Sequence, residues 1–71
     1  MIIYTKNNCV QCKFVKRWLD NEGIDYTEIN TDTHPEELAR LKLQGFRQLP
    51  VTEHNGNTVS GFNVNGLKGL L

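Results

Sequence analysis

The sequence predicts an α/β fold in which a four-stranded mixed sheet is flanked by three helices. Two observations lead to this prediction. β-prone segments alternate with helical ones in the first two thirds of the chain, the order of a right-handed βαβ unit. The pair Asn55-Gly56 then predicts a two-residue turn between antiparallel strands. A hairpin added to the sheet of a βαβ unit would bury the apolar residues of these segments with few elements. We expect a single domain, residues 1–71.

The first half of the chain supplies the βαβ unit. Ile2 to Thr5 form an apolar run typical of a strand covered on both faces. Between Val10 and Glu22 apolar residues recur at helical spacing, and Gly23 follows as a helix stop. The alternating segment Asp25 to Asn30 predicts the second strand. The apolar positions of this first helix are Val10, Phe14, Val15, Trp18 and Leu19.

A second helix is predicted from the segment "TDTHPEE" onward. Thr33 can act as its N-cap residue, and Glu36, three residues later, can complete a capping box with it. Pro35 is tolerated in a first turn. Gly45 ends this helix. The side chains expected to form its narrow buried stripe are Leu38, Leu41 and Ala39.

The last third of the chain contains the hairpin and a short tail. The strands of the hairpin are "VTEH" and "NTVS", on either side of the Asn55-Gly56 turn. The tail, Asn63 to Leu71, places its apolar residues on one helical face. Gly66 and Gly69 weaken that helix, so we expect it to be short and frayed.

Composition and charge narrow the possible functions. Eight lysines and arginines balance eight aspartates and glutamates, so the charge gives no reason to expect nucleic acid or an anionic membrane as partner. The first residues lack the basic start and long apolar core of a signal peptide, and no segment approaches a membrane span. We therefore expect a cytoplasmic protein that acts as a monomer.

The two cysteines of the chain, Cys9 and Cys12, form a C-x-x-C motif at the start of the first predicted helix. Free amide groups and the positive end of the helix dipole favour the thiolate of Cys9. Cys12 lies about one turn further on, where it can attack a mixed disulfide formed at Cys9. Since the cytosol keeps thiols reduced and the closed loop is short, a purely structural disulfide is disfavoured.

A metal site is the alternative interpretation of the same motif, because C-x-x-C forms half of many zinc sites. Structural zinc needs four protein ligands. The remaining candidates, His34 and His54, are far apart in the sequence and do not form a paired histidine motif. The context of the motif favours thiol redox chemistry and predicts no metal.

With Cys9 and Cys12 at a helix start and Leu49-Pro50-Val51 before the third strand, the chain resembles the glutaredoxin-like branch of the thioredoxin-fold superfamily over nearly its full length. That resemblance implies a cis peptide before Pro50, beside the cysteines; the alternative is an ordinary trans proline at a strand start. The segments "CVQC", "GFRQLPV" and "SGF" resemble the NrdH-redoxins more narrowly.

The resemblance to the NrdH-redoxins implies a small electron carrier that accepts electrons from thioredoxin reductase and passes them to class Ib ribonucleotide reductase. Cys9 would be the nucleophile and Cys12 the resolving thiol, with no bound cofactor in this domain, whose reductase uses flavin and NADPH. Phe62 has a competing interpretation as a core aromatic. The residues expected to surround the cysteines or orient a partner are Val10, Gln11, Arg47, Gln48, Leu49, Pro50, Ser60, Gly61 and Phe62.

Two alternatives remain from related classes of protein. Glutathione-dependent glutaredoxins resemble C-P-Y-C at the first site and have a glycine pair with an acidic residue before the last helix; this chain has Val10, Gln11 and "SGFNVNG" instead. Other glutaredoxin-like proteins hold an iron–sulfur cluster between two subunits through the first cysteine. The chain also departs from the NrdH-redoxins, with Val59 for the usual Trp before Ser-Gly-Phe and Asn63-Val64 for Arg-Pro after it.

Overall fold

The predicted order of elements is confirmed in a computed structural model that describes the whole chain, residues 1–71. The sheet order is β2-β1-β3-β4, with β1 and β2 parallel and the other pairs antiparallel. None of the helices combines the length and apolar character needed to cross a membrane. The elements are β1 (Ile2–Thr5), α1 (Val10–Asn21), β2 (Thr27–Asn30), α2 (Pro35–Leu43), β3 (Val51–His54), β4 (Asn57–Ser60) and α3 (Val64–Gly69).

One face of the sheet is covered by α1 and α3. Successive residues of a strand point to opposite faces, so Ile3 of β1 lies on this side while its neighbours point away. Of the helical stripe predicted for α1, only the inner side chains are buried, whereas Val10 and Phe14 are exposed. Trp18 packs against the edge of this core, as expected. The buried core of this face consists of Ile3, Val15, Leu19, Leu67 and Leu70.

The opposite face of the sheet is covered by α2 and has a smaller buried core, formed by Tyr4, Leu41 and Val51. Leu41 is the buried side chain of the helix and Leu38 is half-buried. The expectation for Ala39 is wrong, because it points to solvent. A nine-residue helix covers this sheet with a single row of side chains, and Ala39 lies outside that row.

Two boundaries differ from the predicted ones. Strand β2 begins at Thr27 rather than Asp25, because Thr27 is the partner of Ile2, the first residue of β1. The predicted cap of α2 by Thr33 is also wrong: the N-cap residue is His34, which makes no side-chain capping bond. Thr33 Oγ1 donates to the carbonyl oxygen of Asn30 at 3.0 Å, and the helix begins at Pro35.

The hairpin and α3 complete the sheet and its cover. Asn55 and Gly56 both have positive φ, 51° and 80°, as the predicted two-residue turn requires. Helix α3 ends at Gly69 and is capped by Asn63, whose Oδ1 accepts the Gly66 amide at 3.0 Å. A Cβ at Gly66 would lie 3.1 Å from Val59 Cγ1, so this glycine lets α3 pack closely against β4. The same residue that weakens the helix thus improves its packing.

Candidate active site

The cysteine pair follows a short turn that leaves the end of β1. Asn8 adopts a positive φ of 55°, a conformation that asparagine tolerates better than most residues, and so redirects the chain into α1. The Asn7 amide donates to Asp32 Oδ2 at 2.7 Å, and Asn30 Nδ2 donates to Asn7 Oδ1 at 2.9 Å. These bonds join the turn to the loop between β2 and α2, which holds Cys9 in place.

Cys9 is the N-cap residue of α1 and forms a disulfide with Cys12. The Cys12 amide donates to Cys9 Sγ at 3.2 Å, so the first sulfur caps a free amide group of the helix. Cys9 is 8% exposed and Cys12 only 2% exposed. Both cysteines are thus buried, Cys12 more completely than Cys9.

The loop before β3 lies beside the disulfide. The peptide bond between Leu49 and Pro50 is cis, as the family resemblance implies, and Pro50 is buried. The Leu49 carbonyl oxygen lies 3.8 Å from Cys9 Sγ. A sulfur in a disulfide carries no proton, so this is a contact and not a hydrogen bond in the oxidised protein.

The loop between β4 and α3 is the third segment of the site. The Gly61 amide donates to the Pro50 carbonyl oxygen at 2.8 Å. This bond joins the loop to the segment before β3 that contains Pro50, here called the proline loop. The Phe62 amide donates to Gln11 Oε1 at 3.3 Å, which joins the same loop to residues 9–12, here called the cysteine turn. Ser60 Oγ lies at the limit of hydrogen bonding, 3.5 Å from the carbonyl oxygen of Gln48. Segments far apart in sequence are thus linked around one disulfide.

An apolar surface borders the disulfide on the side of α1 and α3. We call Val10, Phe14 and Phe62 the apolar rim; their exposed fractions are 63%, 44% and 42%. The rings of Phe14 and Phe62 are 5.7 Å apart between centroids, a normal packing distance for aromatic pairs. The interpretation of Phe62 as a core aromatic is therefore wrong, because its partner is another surface ring. Phe14 was not predicted for the site, although it lies four residues after Val10 on the same helical face.

A cleft of about 230 Å³ lies on the α2 side, bordered by Leu49. We call it the basic cleft, because Lys6, Lys42 and Arg47 line it and none of them forms an ion pair. Of the residues that the sequence predicts near the site, Arg47, Gln48 and Leu49 line this cleft, and Lys42 of α2 adds a positive charge that the sequence analysis did not place there. The other lining residues are Thr31, Asp32, Leu38, Phe46, Gln48 and Leu49.

The histidines are held by their own loops. His34 Nδ1 lies 3.0 Å from both Thr33 Oγ1 and the Asn30 carbonyl oxygen. His54 Nε2 lies 3.3 Å from Asn55 Nδ2 in the hairpin. No three side chains of the His, Cys, Asp and Glu types are grouped as metal ligands.

Two titratable groups whose pKa the fold shifts, Glu28 and Tyr4, belong to the sheet. A hydrogen bond from Thr5 Oγ1, 2.7 Å long, is the main cause that lowers the pKa of Glu28, and Lys16 at 3.2 Å adds to it. Burial raises the pKa of Tyr4, whose hydroxyl accepts a hydrogen bond from Arg40 at 2.7 Å. These groups stabilise the layers around the site rather than acting in it.

Comparisons with known proteins agree with this geometry. The family model described as Glutaredoxin matches residues 1–59. The glutaredoxin-like protein NrdH of Escherichia coli K12 is 50% identical over 60 residues, covering 84% of this chain and 74% of that relative. The NrdH protein of Lactococcus lactis subsp. cremoris is 43% identical over 68 residues, with 96% and 94% covered. The solved structure of NrdH-redoxin from Escherichia coli, a glutaredoxin-like protein with a thioredoxin-like activity profile, matches with a TM-score of 0.94 at 44% identity, over 99% of this chain and 92% of that one.

Proposed function

The chain belongs to the glutaredoxin family, and within it to the NrdH glutaredoxin-like proteins, and on this premise we propose that it is a dithiol electron carrier for protein disulfides. Its electron source is thioredoxin reductase and its client is class Ib ribonucleotide reductase. The thioredoxin-like activity profile of the Escherichia coli relative supports this choice of electron source.

The observation that carries the proposal is the disulfide at the N-terminus of α1, bordered by the apolar rim. Contiguous exposed apolar side chains on a small protein mark a surface for another protein. Val10, Phe14 and Phe62 would therefore contact the client or the reductase around its own cysteines. A charged tripeptide such as glutathione would leave these rings largely uncovered.

The reaction is a two-step exchange. The Cys9 thiolate attacks one sulfur of the client disulfide; the client's S–S bond breaks, a mixed disulfide forms and one client thiolate leaves. Cys12 then loses its proton and attacks Cys9 Sγ, which forms the Cys9–Cys12 disulfide and releases the second client thiolate. Two electrons have moved to the client. The reductase returns them from NADPH through its own flavin and dithiol.

The side chains and backbone groups of the site have distinct parts in this exchange. The Cys12 amide, 3.2 Å from Cys9 Sγ, stabilises negative charge on that sulfur. The carbonyl oxygen of Leu49 lies beside the sulfur, where it would accept an amide of an extended client segment. Arg47 and Gln48 would contact client groups over the basic cleft.

A coupled assay tests the electron source. NADPH consumption is followed with thioredoxin reductase, this protein and insulin as a disulfide substrate, and glutathione with glutathione reductase serves as the control donor. We expect turnover with thioredoxin reductase, and none for the Cys9→Ser variant. Turnover with glutathione alone would overturn the proposal in favour of a glutathione-dependent glutaredoxin.

The client is tested by trapping. The Cys12→Ser variant lacks the resolving thiol, so it should accumulate as a mixed disulfide with its client in a cell lysate. We expect the captured protein to be the large subunit of class Ib ribonucleotide reductase. A variant that captures no disulfide-linked protein, together with visible absorption of an anaerobically purified sample, would instead support the iron–sulfur alternative.

A further inference from the structure

We propose that Gln11 is a positioning residue that holds the Phe62 ring in place for partner docking, through the hydrogen bond from the Phe62 amide to Gln11 Oε1. This inference rests on the function proposed above and adds a specificity role for a residue between the two cysteines. It concerns docking and leaves the thiol chemistry to Cys9 and Cys12.

The first argument is that this hydrogen bond is a unique link. At 3.3 Å, it is the one hydrogen bond that joins residues 9–12 to residues 60–63. The two groups are 51 positions apart in the chain, so no local turn supports the contact. Gln11 is an exposed residue, and such a side chain gives up rotamer freedom when it makes one fixed bond. The loop that it contacts is therefore held to the cysteine turn by this side chain.

The second argument is the close fit between Gln11 and Gly61, the residue before Phe62. Gly61 has a φ of 75°, in the region that favours glycine, and a Cβ there would lie 3.2 Å from Gln11 Oε1. The other side of Gly61 is fixed by its amide, which donates to the Pro50 carbonyl oxygen at 2.8 Å. The backbone at Gly61 is thus held between the proline loop and the Gln11 side chain.

The third argument is the environment of the Phe62 ring. Its backbone lies between Gly61 and Asn63, the cap of α3, while its side chain is 42% exposed and contacts the Phe14 ring. A half-exposed ring on a free loop must be ordered when a partner binds, at a cost in conformational entropy. The bond from its amide to Gln11 removes part of that cost in advance. Phe62 is then already placed beside the disulfide when a partner arrives.

The test compares two substitutions of Gln11 with one control. Gln11→Met keeps the length of the side chain and removes the carbonyl acceptor, whereas Gln11→Glu keeps an oxygen at that position. Gln44→Met is the matched control, since Gln44 is exposed at the C-terminal end of α2. For each protein, hydrogen exchange of the Phe62 amide is measured by NMR, and KM and kcat are measured with thioredoxin reductase. Reduction of a small aromatic disulfide by the pre-reduced protein reports the thiol chemistry by itself.

For Gln11→Met we expect faster exchange of the Phe62 amide and a KM for the reductase about fivefold higher, the factor expected for loss of one ordinary hydrogen bond. Its kcat and its rate with the small disulfide should remain within about twofold of the unmodified protein. Gln11→Glu should restore protection of the Phe62 amide and most of the KM. The Gln44→Met control should match the unmodified protein in every measurement.

Two results would overturn the inference. Equal exchange of the Phe62 amide in Gln11→Met and in the unmodified protein would show that the bond does not hold the loop. Faster exchange with an unchanged KM would show that the bond has no part in docking. The unmodified protein is measured first, so that its failure to act as a substrate of the reductase is recognised as failure of the proposed function and of the docking role that rests on it.

Discussion

The two faces of the sheet differ in how they are packed and in what they present at the disulfide. The α1 and α3 face has five buried core residues, and at the site it ends in exposed apolar side chains. The α2 face has three, and it adds polar links across its surface: Arg40 donates to Tyr4 at 2.7 Å and to Glu37 at 2.9 Å. At the site the α2 face ends in the basic cleft.

This difference shows how a small domain can hold its disulfide in a well-packed layer and use the surfaces beside it to recognise a partner. Cys9 caps α1 and Cys12 belongs to it, and α1 covers the face with the larger core, so the disulfide is held by the better-packed layer. The two flanks of the disulfide have different chemistry, apolar on one side and cationic on the other. A partner that contacts both flanks must itself present an apolar surface and a negative charge at a defined separation.

The largest expected effect is on stability, and it compares the two cores. Leu19→Ala should lower the free energy of unfolding by about 3 to 4 kcal/mol and Leu41→Ala by about 2 to 3 kcal/mol, because Leu19 loses contacts within the larger core. Urea denaturation of the oxidised proteins measures both. Leu43→Ala, at a side chain 89% exposed on α2, is the control and should have little effect. Equal losses at Leu19 and Leu41 would remove the difference between the cores.

The second prediction compares the two flanks of the disulfide. Phe14→Ala should raise the KM for thioredoxin reductase about tenfold at any ionic strength, as expected for an aromatic side chain at the centre of an interface. Arg47→Gln should raise it about threefold at low salt and hardly at all at high salt, because exposed charges are screened. Steady-state kinetics at two salt concentrations measures both. A salt-dependent effect at Phe14, or a salt-independent one at Arg47, would contradict the assignment of the flanks.

A third prediction concerns a polar atom within the larger core. Thr52 is fully buried on the α1 and α3 face, and its hydroxyl has no hydrogen-bond partner. Thr52→Val keeps the shape and removes the unpaired group, so it should raise the free energy of unfolding by about 1 kcal/mol. Thr31→Val is the matched control: Thr31 is equally buried but donates to the Thr5 carbonyl oxygen at 2.8 Å, so this variant should lose stability. A loss at Thr52 would mean that its hydroxyl is bonded after all.

The smallest expected effect is the pH dependence of stability that comes from Glu28, at the edge of the α1 and α3 face. Hydrogen bonds from Thr5 and Lys16 hold the pKa of Glu28 below its ordinary value of 4.5. A carboxyl whose pKa is lower in the folded protein stabilises the fold above the unfolded pKa, and this contribution disappears as the pH falls through the folded pKa. Since the side chain is over one third exposed, the contribution should stay below about 1 kcal/mol.

Glu28→Gln tests this expectation through the unfolding free energy measured between pH 7 and pH 3. The variant should be less stable than the unmodified protein at pH 7, and the difference should shrink as the pH falls below 4.5. Asp25→Asn is a suitable control, because Asp25 is exposed and precedes β2. A difference that grows toward acid would show that the pKa of Glu28 is shifted in the opposite direction.

Much of the candidate site was predictable from short stretches of sequence. The spacing of Cys9 and Cys12, their place at a helix start and the proline before β3 are local patterns, and the structure has all of them. The contacts that shape the flanks were not predictable in this way. Phe14 lies on the face expected of its helix, but that it borders the disulfide depends on where Phe62 is brought by the sheet.

The sequence by itself determined the order of the elements, the hairpin turn and the position of the cysteine pair, because helical periodicity, alternation and turn residues act over a few neighbouring positions. Only the tertiary structure decided that α2 begins after His34 with no side-chain cap, that Gly66 admits a close contact with Val59, and that Lys6, Lys42 and Arg47 line one cleft. The contact at Gly66 and the lining of the cleft join residues of different elements, which the strand order and helix packing bring together.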